Sequence, residues 1–130
     1  MGKRARGRAR AGRSEDASRA PDSDYGDADG NVLTLRGSLK PAARREYADT
    51  LAGQAGPGGR AAATQEDAWQ RAVELLFERL AVRWTIAGAP LERQRELLAR
   101  FRVASPAERA WVRETLRRHC AEHFPDVQAP

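Results

Sequence analysis

Residues 64–90 read TQEDAWQRAVELLFERLAVRWTIAGAP, and the period assigned to this run decides the fold. Trp69, Val73, Leu76, Leu80 and Trp84 recur at spacings of 4, 3, 4 and 4. That is the period of one helical face. Leu75, Phe77, Val82 and Ile86 widen the stripe, as expected of a helix covered on several sides. Thr64 offers an N-cap, Asp67 a short version of the capping box, and Gly88 a C-cap. The reading is a central helix over 65–87, about 35 Å long at 1.5 Å per residue.

Two more helices are expected after it. Pro90 suits the first turn of a helix running to about Val103, with Leu91, Leu97, Leu98 and Phe101 on its apolar side. Ser105-Pro106-Ala107-Glu108 combines an N-cap, a Pro at the first helical position and a Glu that closes a capping box. The helix it starts runs to about His123, with Ala107, Trp111, Val112, Leu116 and Cys120 inward and Pro125 as its stop. Trp69, Trp84 and Trp111 are candidates for core or for partner anchors, and core is the preferred reading. Residues 126–130 are expected to fray.

Before the central helix, Val32-Leu33-Thr34-Leu35-Arg36 reads as one short extended segment ended by Gly37. With no partner strand in view, Val32, Leu33 and Leu35 are read as a packing arm or as an edge offered to another chain. Ser38 then caps a short helix whose stripe is Leu39, Ala43, Tyr47 and Leu51, and Gly53 ends it. Gly56-Pro57-Gly58-Gly59 marks a flexible loop. The expected architecture is all-α: a small bundle of about four helices over 31–125. The first helix is short, the second long and central, and the third and fourth form a helical hairpin.

Residues 1–30 contain no Val, Leu, Ile, Phe or Trp and are expected to be a disordered tail. The block 1–13 is purely basic, with Lys3, Arg4, Arg6, Arg8, Arg10 and Arg13. The block 14–30 is acidic apart from Arg19. A net charge of +5 over 130 residues, with 2 Lys and so 21 Arg among the 23 basic residues, suits contact with phosphate. The tail carries no aromatic side chain between its arginines for base stacking, so any such binding would be non-specific. Arg109, Arg113 and Arg117 repeat at i, i+4 and i+8 and form a second candidate nucleic-acid surface. Glu108 stands where a recognition helix would meet base edges, and ion pairing along the helix explains the stripe equally well.

His119, Cys120 and His123 are the nearest thing to a ligand cluster. One helix supplies all three and no second Cys/His element faces them, so no zinc is expected. Cys120 has only its own helix neighbours as a base, which argues against a nucleophile. Gly56-Pro57-Gly58-Gly59 lacks the Gly-Lys-Ser/Thr of a phosphate loop. No catalytic residue, cofactor or metal is therefore assigned.

The single cysteine excludes an intrachain disulfide and fits a reducing compartment. The basic start is followed by no apolar h-region, and charges interrupt the most apolar run, so neither a secretory signal nor a membrane span is expected. The functional expectation is a cytoplasmic, non-catalytic helical protein that binds a protein partner as a regulator or assembly component. Self-association fits the same apolar faces. The alternative is a nucleic-acid-associated protein using the basic tail and the arginine face.

Overall fold

The computed structural model describes residues 20–54 and 62–130. Among them, four strands and four helices follow the order β1 (Ala20–Gly26), β2 (Val32–Gly37), α1 (Pro41–Leu51), α2 (Gln65–Leu80), β3 (Ala81–Ile86), β4 (Ala89–Leu91), α3 (Gln94–Arg102) and α4 (Pro106–His123). The strands form one antiparallel sheet in the order β1-β2-β3-β4. The fold is mixed, and the expected all-α bundle is wrong.

The error lies in the run that was read as one helix. Helix α2 begins as expected, with the Thr64 hydroxyl accepting from Asp67 N–H at 3.0 Å. The Asp67 carboxylate reaches back one residue further than a capping box would, to Ala63 N–H. The helix then stops at Leu80. Val82, Trp84, Thr85 and Ile86 are β-branched or aromatic and favour a pleated surface. Ala87 and Gly88, both at positive φ, close a two-residue hairpin between the paired Ile86 and Ala89.

The helical spacing persists through β3 because of a bulge. Leu33 pairs with Trp84 and Leu35 with Ala81, so two residues of β2 span three of β3. Ala81 and Trp84 therefore both face the core although they are three apart. Pro90 sits in the short edge strand β4, where a missing N–H is tolerated, and the third helix starts only at Gln94.

β2 is thus not an orphan arm. It is paired on both sides, and Leu33 and Leu35 have no exposed surface. Its other partner, β1, lies inside the segment expected to be disordered. Residues 20–30 form this strand and the turn after it, while residues 1–19 lie outside the described residues. The expected Gly56–Gly59 loop also falls outside them.

The helices cover the sheet face that carries Leu33, Leu35, Ala81 and Trp84. Val73, Leu76, Phe77 and Leu80 of α2 pack there with Leu97 and Phe101 of α3 and Val112, Leu116 and Cys120 of α4. Phe77 stacks on Phe101 at 4.7 Å and meets Trp84 edge-on. Trp84 is buried as expected, whereas Trp69 and Trp111 are only half-buried. Helix α4 has the complete capping box read from the sequence. Glu108 also accepts from Arg100 at 2.6 Å, which ties α3 to α4. Residues 126–130, expected to fray, are held down. Tyr47 donates to the Gln128 carbonyl, Arg44 pairs with Asp126, and Arg117 donates to the Pro130 carbonyl.

Candidate interaction groove

The chain leaves β2 at Gly37 and must turn before α1. Lys40 takes the N-cap position there with no side-chain cap, and no acid stands in the first turn of α1. The last turn of α2 and the start of β3 lie alongside, because Ala81 pairs with Leu35. The link from β4 to α3 closes the far side, where the Gln94 side chain donates to the Glu78 carbonyl at 3.2 Å. These segments enclose a groove of about 530 Å³.

Leu39, Ala43, Ala81 and Val82 form its apolar floor. Arg79 and Glu46, paired at 2.9 Å, brace α2 against α1 along one wall. The rim carries Arg36 and Lys40 on the β2–α1 side, and Glu78 and Glu92 on the α2 and β4–α3 side. None of these four side chains makes an ion pair among the described residues. The groove therefore offers an apolar strip between unmatched charges of opposite sign. A smaller hollow of about 400 Å³ lies between α1 and the final residues, lined by Tyr47, Leu51 and Val127.

The residues singled out in the sequence are placed differently. Lys3, Arg4, Arg6, Arg8, Arg10 and Arg13 lie outside the described residues. On α4, Arg113 sits over the Trp69 ring at 5.2 Å. Arg117 pairs with Glu114 and binds the Pro130 carbonyl. Arg109 is half-buried and makes no ion pair among the described residues. The stripe is therefore largely engaged within the fold. Val32 is half-buried, and Leu33 and Leu35 are core residues, so neither leucine is open to a partner.

The rings of His119 and His123 lie 4.4 Å apart, but with Cys120 the three form no ligand cluster. Cys120 is buried, and burial pushes its thiol up to about 11. His119 is fully buried against β1 and β2. Its Nε2–H donates to the Arg36 carbonyl at 2.6 Å, and Nδ1 accepts from the Tyr25 hydroxyl at 2.7 Å. His123 Nε2 meets Ser23 Oγ at 3.3 Å. Among the described residues, no group of three or more His, Cys, Asp and Glu is gathered to hold a metal ion. No described helix is long and apolar enough to cross a membrane.

Sequence reasoning missed the groove residues and Tyr25. Arg36 and Lys40 lie next to Gly37 and Pro41, and a cation flanking a turn carries no signal of its own. Tyr25 did leave one. It is the single aromatic residue of 1–30, and it precedes Asp27-Ala28-Asp29-Gly30, a turn placed directly before an aliphatic run. No known family pattern, no curated protein and no solved structure matches the chain.

Proposed function

We propose that the protein acts by binding rather than by catalysis, and that the groove seats an extended segment of a protein partner. The observation that carries this reading is the apolar floor of Leu39, Ala43, Ala81 and Val82, set between unpaired Arg36 and Lys40 on one side and unpaired Glu78 and Glu92 on the other. A matching segment has small apolar residues at its centre, an acid facing Arg36 and Lys40, and a base facing Glu78 and Glu92. Apolar contact supplies affinity, and the opposed charges fix the direction in which the segment lies. A regulatory or assembly role follows from such binding. The free, buried Cys120 suits a reducing interior, so the same proposal places the protein in the cytoplasm.

The nucleic-acid reading has less support. It relied partly on Arg109, Arg113 and Arg117, and two of these three already have partners within the chain. Affinity capture with the full chain, with and without nuclease, separates the two readings. Partner recovery should survive nuclease and fall by about tenfold or more in the double variant Arg36→Glu, Lys40→Glu, as expected when charge complementarity is reversed. Recovery abolished by nuclease, or unchanged in that variant, would overturn the groove reading.

A further inference from the structure

Both histidines of the chain, His119 and His123, bind the same edge strand. We infer that they form a proton-operated latch on β1, which holds the strand against α4 while His119 is neutral and lets it leave when His119 takes up a proton. The inference goes beyond the groove and does not depend on it.

The geometry of His119 carries the argument. A carbonyl can only accept, so the bond to Arg36 fixes the proton on Nε2. Nδ1 is then the acceptor for Tyr25, and both nitrogens are committed. A second proton must go onto Nδ1, which the Tyr25 hydroxyl can meet only by turning its hydrogen away and accepting instead. It also creates a cation with no exposed surface. The His123 ring lies 4.4 Å away centroid to centroid, so charge on one ring opposes charge on the other. Opening the strand relieves all three costs together, because water then reaches both rings.

The surroundings include charges of both signs. Asp22 on β1, Glu122 on α4 and the Arg36 carbonyl favour a charged His119, while burial and His123 oppose it, burial being the largest influence. Arg118 of α4 lies over the Tyr25 ring at 5.7 Å, and Arg44 of α1 over Phe124 at 5.4 Å. Phe124 in turn meets His119 edge-on. Cys120 adds no charge, since burial keeps it a neutral thiol.

β1 is suited to leaving. Pro21 has no N–H to give, the register slips between Ala20 and Ser23, and no residue from 20 to 26 has a large aliphatic side chain. Apart from its ladder with β2, the strand is held by the two histidine contacts, by Thr34 donating to Asp24 at 2.6 Å, and by the Tyr25 ring, its one apolar anchor, which packs against the core beside His119 and Arg118.

Hydrogen exchange on the full chain, followed segment by segment from about pH 7.5 to about pH 5, tests the latch in the range where histidine titrates. Protection of residues 20–26, corrected for the intrinsic pH effect, should fall by about tenfold more than that of 81–86, as a local opening requires. Tyr25→Phe leaves Nδ1 without a donor and should move the opening to higher pH. His123→Gln, at a half-buried position, should move it to lower pH by removing the neighbouring charge. Unchanged protection of 20–26 down to about pH 5, simultaneous loss in 20–26 and 81–86, or an unshifted transition in both variants would each overturn the inference.

Discussion

The side-chain oxygen of Asn31 accepts the backbone N–H of Ala87 at 3.0 Å, joining the turns of the two hairpins. Asp27 sets this up. One carboxylate oxygen accepts from Asp29 N–H and Asn31 N–H, and the other accepts from Asn31 Nδ2. The Asn31 amide is therefore oriented before it meets the second turn. At that turn Ala87 holds φ of 50°, which strains a residue with a Cβ.

Two stability changes of opposite sign follow. Ala87→Asn keeps the N–H and tolerates the left-handed region, so it should raise stability by roughly 0.5–1 kcal/mol. Asn31→Ala should lower it by about 1 kcal/mol through the lost hydrogen bond. Denaturant unfolding measures both, and a destabilising Ala87→Asn would contradict the turn geometry.

Leu33→Ala should cost about 2–5 kcal/mol, the usual range for an apolar core side chain. The side chain is fully buried, and its residue pairs with Tyr25 on one side and Trp84 on the other. A loss below about 0.5 kcal/mol, typical of surface sites, would return Leu33 to the exposed arm expected from the sequence.

The helices were legible where local chemistry decides them. Thr64, the Ser105–Glu108 box and the stripe Leu39, Ala43, Tyr47 and Leu51 all lie in or beside helices at the expected places. The sheet was not legible, because β1 carries little strand signal and the pairing of β2 with β3 is non-local. β1 is built from Pro, Asp, Ser and Gly around one Tyr; it pairs with the neighbouring β2, but its histidine contacts come from residues about a hundred positions away. β3 imitated the end of a helix through its bulge. The candidate groove was hidden for the same reason. Its floor and rim come from three separate stretches that only the fold brings together.

Stability should fall as the pH drops below the ordinary histidine value of about 6.5. Burial, with His123 adding to it, holds the His119 imidazole below that value, while the Arg36 carbonyl, Glu122 and Asp22 pull the other way. The unfolded chain then takes up the proton at a higher pH than the folded chain. The contribution is complete above the ordinary value and is lost progressively as the pH falls toward the folded one. Denaturation midpoints at about pH 7.5 and about pH 5 should differ in this direction, and His119→Gln should flatten the difference.

Cys120 should resist thiol reagents. Its side chain has no exposed surface, and burial holds the thiol up to about 11, so at mildly alkaline pH the thiolate is scarce and sheltered. Labelling by a water-soluble disulfide reagent should proceed only as fast as the protein unfolds, and rapid stoichiometric labelling of folded protein would contradict this placement.

A photo-reactive residue in place of Val82 reports directly on what enters the groove. Illumination in cells, followed by mass spectrometry of the adducts, should give a discrete product with another protein. The linked peptide should carry small apolar residues flanked by an acid and a base. The adduct should be lost with Arg36→Glu and Lys40→Glu, and should be absent when the probe replaces Val103, which is exposed outside the groove. Equal labelling from both positions, or no adduct from Val82, would contradict the assignment of the groove as the binding site.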